Sequence, residues 1–226
     1  MPQPDIILAS ESPRRRELLA ALGLAFAVRP AVVDEAPLPG ETPEALALRL
    51  SRAKAAVVAQ DAPDALVIAA DTVVALGEAM LGKPASPDEA LEMLRRLRGR
   101  SHRVLTGLAV RHAASGQGRT ALASTQVLMR DYTEAEMLAY ADSGDPLDKA
   151  GGYAIQNRRF APVARLDDCY ANVVGLPLCL LYRVLTRWGF EMRHPLDVCP
   201  WPLEHGGCDW AEAILASADE PPLEPQ

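Results

Sequence analysis

Residues 66–74 read LVIAADTVV, a nearly unbroken run of apolar, largely β-favouring side chains. A strand with one face in water alternates apolar and polar residues. A run without alternation belongs to a strand covered on both faces, as in sheets that carry helices on each side. This stretch therefore predicts an α/β fold. It also contains Asp71 and Thr72. An unpaired carboxylate in such a strand is costly to bury, so the interruption points to a ligand or a reaction, with a buried turn-forming aspartate as the plainer alternative.

The flanking segments alternate as an α/β fold requires. Residues 6–9 read as a short buried strand, and Ser12-Pro13 is an N-cap and first-turn pair that opens a helix with Leu18, Leu19 and Leu22 on its apolar face and Gly23 at its close. A strand resumes at 26–28, before a loop at 30–40. Thr42-Pro43 starts a second helix whose apolar stripe is Leu46, Leu50, Ala53 and Val57, with Lys54 beside it. Ser86-Pro87-Asp88-Glu89 is a capping box leading through Leu91, Leu94 and Leu97 to Gly99, and Thr133-Glu134-Ala135-Glu136 is another, its helix ending near Gly144. Strands are expected at 102–112 and 120–130, and a last helix at 177–188. Beyond Gly189 the chain turns proline-rich and irregular, with disorder expected after 217.

A length of 226 residues suits one α/β domain or two intimate lobes. No apolar stretch is long enough to span a bilayer, and the first residues lack the basic region and cleavage site of a secretory signal, so the expected compartment is the cytoplasm, with no membrane partner. Thirty acidic against 23 basic residues leave a net charge of −7, and aromatics make up only 5%. That balance disfavours a nucleic-acid-binding module, which needs a basic face and stacking platforms. Cys169, Cys179, Cys199 and Cys208 contain no C-x-x-C pair, so a disulfide framework is a poor reading. Cys199, His205 and Cys208 lack a fourth ligand at regular spacing, which makes a weak metal pattern.

Three arginines fall in the turn Ser10-Glu11-Ser12-Pro13-Arg14-Arg15-Arg16. Cations at a helix N-terminus oppose its dipole unless an anion sits between them. Free amides, the Ser10 and Ser12 hydroxyls and the guanidinium forks of Arg14 and Arg15 would together cradle phosphate. Ser12 also reads as a plain cap, and Arg16 as a solvent-facing residue. Asp71, at the end of the hydrophobic strand, can hold a divalent cation or orient water for attack on a phosphoanhydride. Gly82-Lys83-Pro84 is no Walker motif, although Lys83 can still meet phosphate. Lys54 and Glu35, taken singly, read as solvated surface charges, and His102 as a satisfied structural histidine. No Ser or Cys elbow suggests covalent catalysis. Gln156 offers a donor and an acceptor in one plane, suited to a nucleobase edge or equally to a surface turn.

Together the ordered strings IILASESPRR, VDE, AADTVV, GKP, HRVLTG, DKAGGYAIQ and YANVVGLPL resemble the Maf-type nucleoside triphosphate pyrophosphatases, over about residues 5 to 190. The resemblance implies an elongated two-lobed α/β fold with a central mixed sheet and a nucleotide cleft, similar to inosine triphosphate pyrophosphatases, often as a homodimer and dependent on Mg²⁺ or Mn²⁺. Carried over by position, Asp71 matches the proton acceptor and Glu35 a metal- or water-positioning carboxylate, so that both are the expected metal ligands. Lys54 and Lys83 match phosphate-facing lysines, and Ser10, Arg14 and Arg15 the phosphate-gripping turn. Arg14, Thr72 and Gln156 mark the branch acting on dTTP and UTP, as against the branch preferring 7-methyl-GTP. The implied function is house-cleaning hydrolysis of dTTP, UTP and modified pyrimidine triphosphates to monophosphate and pyrophosphate; the alternatives are a nucleotide-binding regulator of cell division with little turnover, or a pyrophosphatase with 7-methyl-GTP or another base preference. The chain departs from the pattern at Asn157-Arg158-Arg159, which bears on base choice, and in a C-terminal extension at 191–226, expected to be partly disordered.

Overall fold

The computed structural model describes residues 3–217. Along the chain come β1 (Ile6–Leu8), α1 (Pro13–Ala21), β2 (Phe26–Val28), α2 (Pro43–Asp61), β3 (Leu66–Leu76), β4 (Ala79–Leu81), α3 (Pro87–Leu97), β5 (Ser101–His112), β6 (Gln117–Met129), α4 (Glu134–Ala141), β7 (Val163–Asp167), α5 (Tyr170–Val174), α6 (Leu178–Arg187), α7 (Pro195–Val198), α8 (Pro200–His205) and α9 (Ala211–Ala216). The strands form one sheet in the order β2-β1-β3-β5-β6-β7, with β4 also paired to β3. β1 lies parallel to β2 and β3, and the remaining pairs are antiparallel, so the sheet is mixed as expected.

The long strand organises the molecule. β5 covers one edge of β3 from Leu66 to Ala75. The other edge is shared, with β1 pairing to Leu66, Val67 and Ile68 and β4 to Val74, Ala75 and Leu76. Residues 69–73 lie between these two partners, and Asp71 and Thr72 fall in that opening. Asp71 is thus within an 11-residue strand and not at its end, as the sequence suggested. The carboxyl end of parallel β1 opens beside it, where α/β sheets place ligands.

Side-chain alternation along β3 then assigns the two polar residues to opposite faces. Val67, Ala69 and Val73 pack toward α2, and Asp71 shares their face. Ile68 and Ala70 pack with α1, α5 and α6, and Val74 with α3 and α4; Thr72 shares that side. The apolar core on this second side divides into two clusters, and Ile155, Tyr170 and Trp201 pack against both.

α2 is rotated relative to the stripe read from its sequence. Its buried residues are Pro43, Leu46, Ala47, Leu50, Ser51, Lys54, Ala55, Val58 and Ala59, while Val57 is 40% exposed and Ala53 only half-buried. The reason is close approach. A Cβ on Gly107 of β5 would stand 2.2 Å from the Ala47 carbonyl oxygen and 2.9 Å from the Ser51 hydroxyl, so the missing side chain lets a small-residue helix face settle onto the sheet. Gly107 is the cross-strand neighbour of Asp71, and Lys54, two turns beyond Ala47, is carried inward by the same contact.

Three of the expected helix starts carry their side-chain caps, at Ser12, Thr42 and Thr133. Ser86 caps α3, but Glu89 reaches the amide of Ala85 at 2.7 Å and leaves that of Ser86, so the capping box is only half made. β4 and β7 were not legible in the sequence. The stretch beyond Gly189 is also more ordered than its prolines suggested, since α7, α8 and α9 form there and Phe190 and Cys199 join the core. The disorder expected after 217 lies outside the described residues.

Gly107→Ala is expected to destabilise the fold by about 2–3 kcal/mol, the cost of forcing α2 off the sheet. Urea unfolding read by circular dichroism measures it, and a loss below about 0.5 kcal/mol, typical of a neutral surface site, would contradict the close-approach reading.

Candidate active site

Lys54 reaches the opening in β3 from α2. Its Nζ lies 2.5 Å from Asp71 Oδ1 and 2.6 Å from Glu35 Oε1. Lys54 and Asp71 are each 8% exposed, and so satisfy one another where neither charge would be tolerated alone. Burial works to raise the Glu35 carboxyl, but the hydrogen bond and charge of Lys54, followed by Lys83 and Arg15, hold it below the usual carboxylate range. Asp71 Oδ2 makes no protein hydrogen bond among the described residues. Of the three ammonium N–H groups on Lys54, two face carboxylates and the third is left for another acceptor.

On the other face, Arg15 Nε donates to the Gly175 carbonyl at 2.8 Å, Nη2 to Thr72 Oγ1 at 3.0 Å and Nη1 to Ser10 Oγ at 3.3 Å. All three acceptors are neutral, and Arg15 has no carboxylate within ion-pair distance among the described residues. Burial lowers its pKa and Asp71 works against that, yet a guanidinium stays charged in proteins. Thr72 Oγ1 also meets Thr106 Oγ1 at 2.9 Å, which donates to the Asn172 carbonyl at 3.1 Å. The short helix α5 and its C-cap therefore register both Arg15 and Thr72. A Cβ on Gly175, whose φ is +118°, would meet Thr72 Oγ1 at 3.3 Å and Arg15 Nε at 3.4 Å, so this cap also needs glycine.

These groups open onto one cleft of about 740 Å³. Ser10, Arg14, Arg15, Glu35, Lys54, Asp71, Thr72, Lys83 and Gln156, scattered over 146 positions of sequence, all line it. Arg14 pairs with Asp148 at 2.8 Å, Lys83 is exposed, and Gln156 stands at the rim without a hydrogen bond among the described residues. Lys149 also lines the cleft, held by Asp148 Oδ1 at 2.5 Å and Asp145 Oδ1 at 2.9 Å; with Thr106, Gly107 and the Gly175 carbonyl it was not singled out by sequence. Only the glycines and the polar stretch around Lys149 offered a signal. Asn157, in the unusual segment, anchors its own turn by donating to Asp145 at 3.1 Å and accepting from the Phe160 amide at 2.9 Å.

His102 backs the cleft wall, its Nε2 2.7 Å from the Tyr153 hydroxyl. Burial pushes its pKa down to about 4, and Nδ1 is buried with no hydrogen-bond partner among the described residues, so the satisfied structural histidine expected from sequence is met at one ring nitrogen only. No group of three or more His, Cys, Asp or Glu able to hold a metal occurs among the described residues. His205 is instead stacked on Trp201, with ring centroids 3.9 Å apart, and all four cysteines are free. No described helix is long and apolar enough to cross a membrane.

A half-buried guanidinium held by neutral acceptors and a lysine-bridged pair of carboxylates thus face the same cleft. The chain belongs to the Maf-like protein family, whose sequence model matches residues 5–188. Among curated relatives, a dTTP/UTP pyrophosphatase of Dehalococcoides mccartyi (strain ATCC BAA-2266 / KCTC 15142 / 195) is 44% identical over 187 residues, covering 83% of this chain and 84% of the relative. Another, from Pelotomaculum thermopropionicum, is 48% identical over 188 residues, 83% of this chain and 98% of the relative, and one from Anaeromyxobacter dehalogenans strain 2CP-1 is 49% identical over 191 residues, 84% and 96% of the two chains. A solved HAM1 protein from Coxiella burnetii superposes with a TM-score of 0.47 at 18% identity, over 82% of this chain and all of that one.

Lys54→Met is expected to destabilise the protein by about 3 kcal/mol, because it leaves Asp71 buried and unpaired. Adding Asp71→Leu should recover part of that loss in urea unfolding; a double variant no more stable than the single one would count against the pairing argument. For His102, a folded pKa below the ordinary value of 6.5 means that its contribution is present above pH 6.5 and lost as pH falls toward 4. The wild type is expected to lose about 3 kcal/mol across that window through this group, and His102→Leu to show a correspondingly shallower acid limb in thermal unfolding.

Proposed function

We propose that this protein is a metal-dependent nucleoside triphosphate pyrophosphatase that converts dTTP and UTP, and modified pyrimidine triphosphates, to the monophosphate and pyrophosphate. The observation that carries the reading is Arg15, a half-buried guanidinium bonded only to neutral acceptors, lying across the opening in β3 from the Lys54–Asp71 pair. A half-buried cation without a carboxylate partner, facing a carboxylate with one free oxygen, suits cleavage of a polyphosphate. The names of the relatives support the pyrophosphatase chemistry and the pyrimidine preference, and Arg14, Thr72 and Gln156 on one cleft are consistent with it.

In this mechanism Asp71 Oδ2 orients a water toward the α-phosphorus and takes its proton, while Lys54 holds the carboxylate in place and offers its remaining N–H to a phosphate oxygen. Arg14, Arg15 and Lys83 offset the charge that gathers on the leaving pyrophosphate. Ser10 keeps Arg15 turned toward the cleft. Gln156 at the rim reads the base edge. Asp71 and Glu35 are the residues that would hold the metal, and their chemistry fits it: Mg²⁺ needs only one or two carboxylates when phosphates and waters complete its shell. Bound with the triphosphate, Mg²⁺ or Mn²⁺ would supply charge neutralisation at the scissile anhydride.

Residues 5–190 form the pyrophosphatase unit in this reading, and 191–226 an extension. Four free cysteines suit a reducing, cytoplasmic compartment. A homodimer is the expected assembly, and nucleotides the only nucleic-acid-like ligands.

Pyrophosphate release from dTTP, UTP, CTP, 7-methyl-GTP and ITP, each with Mg²⁺, Mn²⁺ or chelator, tests the proposal. Metal-dependent turnover led by dTTP and UTP is expected, with Asp71→Asn folded but slowed by at least about a thousandfold. Preference for 7-methyl-GTP would overturn the substrate assignment. Nucleotide binding without release under any metal would leave the regulator reading in its place.

A further inference from the structure

The family match ends at residue 188, and the Pelotomaculum relative is 98% covered by a 188-residue alignment, so little of that relative is left to correspond to the tail. In this chain the described part of the tail, through residue 217, packs on the domain. The Arg193 amide donates to the Leu22 carbonyl at 2.8 Å, Phe190 and Cys199 are buried in the core, and Met192, Val198, Trp201 and Ile214 pack on it.

Trp201 of α8 holds the decisive position. Its ring lies 5.6 Å from that of Tyr170, with His205 stacked on it at 3.9 Å and Trp210 beside it at 6.2 Å. It packs against both apolar clusters of the sheet face, and the other side chains shared in this way are Ile155 and Tyr170. Each of those leads directly to the cleft. Ile155 precedes Gln156. Tyr170 begins α5, whose Asn172 carbonyl and Gly175 cap hold Thr106 and Arg15. A second link runs over the surface, where Arg158, two residues past Gln156, pairs with Glu204 of α8 at 2.6 Å. Both partners are exposed, so that pair contributes little energy, and the aromatic packing carries the contact.

We propose that α8 is a brace for the cleft, with Trp201 a positioning residue that sets where Gln156 and α5 stand and thereby tunes nucleotide affinity and base choice in this chain. The inference rests on the pyrophosphatase reading above for its kinetic consequences. A loosened brace shifts the walls that bind the nucleotide while leaving Asp71 and Lys54, on the opposite side of the sheet, in place. The effect therefore falls on KM and on discrimination more than on kcat.

The test compares full-length wild type, Trp201→Leu, which keeps apolar bulk but removes the ring, and Trp201→Phe. Trp201→Leu is expected to raise KM for UTP about fivefold, equivalent to about 1 kcal/mol, to narrow the preference for UTP over CTP, and to keep kcat within about twofold. Trp201→Phe should recover most of the KM. Amide hydrogen exchange without nucleotide gives a readout independent of turnover: residues 154–160 and 170–175 should exchange faster in Trp201→Leu than in wild type. Unchanged exchange in both segments, or a changed thermal midpoint with unchanged KM and base preference, would overturn the brace and reduce the tail to a stability element. Absence of turnover by the wild type would instead sink the pyrophosphatase reading, and the exchange comparison would still decide the brace.

Discussion

A lysine ammonium at a helix–sheet interface is tolerated only if carboxylates meet it there, and the positions of Asp71 and Glu35 around Lys54 answer that need. Much of the surrounding architecture follows from making this contact possible. α2 must lie close enough for Lys54 to reach the sheet, which demands glycine at 107 and small residues at Ala47 and Ser51 where the two elements touch. The sheet edge must be open at Asp71, which is achieved by giving that edge of β3 to two short partners, β1 and β4, with a gap between them. Remove either condition and the carboxylate is buried without access to a ligand or exposed without its cation.

Strand alternation does the rest of the sorting. Asp71 and Thr72 are neighbours in sequence but face opposite sides of β3, so one strand serves two networks at once. Toward α2 lies the charged network of Lys54 and Glu35. Toward α5 lies a network of neutral acceptors, the Thr72, Thr106 and Ser10 hydroxyls and the Asn172 and Gly175 carbonyls, in which Arg15 is the single strong charge. Hydrogen bonds to neutral groups orient a guanidinium without cancelling its charge. That leaves a positive field aimed into the cleft of a chain whose net charge is −7, a local reversal suited to a polyanion.

The tail extends the same logic to the far wall. Its contacts converge on Tyr170 and on the core near Ile155, the two points from which α5 and the Gln156 turn depart. A short helix such as α5, five residues long, has little stability of its own and takes its position from what packs on it. The prolines at positions 195, 200 and 202, read from sequence as a sign of irregular chain, act here as first-turn residues of helices short enough to need them.

Much of this protein was legible in its sequence because local physics decides it. The nearly continuous apolar run at 66–74 reads as a covered strand, the Ser12, Thr42 and Thr133 caps mark helix starts by hydrogen bonds made within four residues, and eight residues in the family-like strings, with Lys54, pointed to one nucleotide site whose members all line one cleft. Tertiary structure alone decided the rest. Which stripe of α2 is buried depended on a glycine 60 positions beyond Ala47, so a lysine that reads as solvated became the interior partner of Asp71. The short strands β4 and β7 exist because a longer neighbour offers them a ladder, and three residues of β4 have no such preference by themselves. Residues 190–217 pack as they do because aromatic rings far apart in sequence bury one another only once the sheet has brought their supports together. Sequence determined the elements and the chemical inventory, whose causes are short-range; the pairing of charges, the aim of Arg15 and the bracing of the cleft arise from contacts between distant residues, and those exist only in the folded chain.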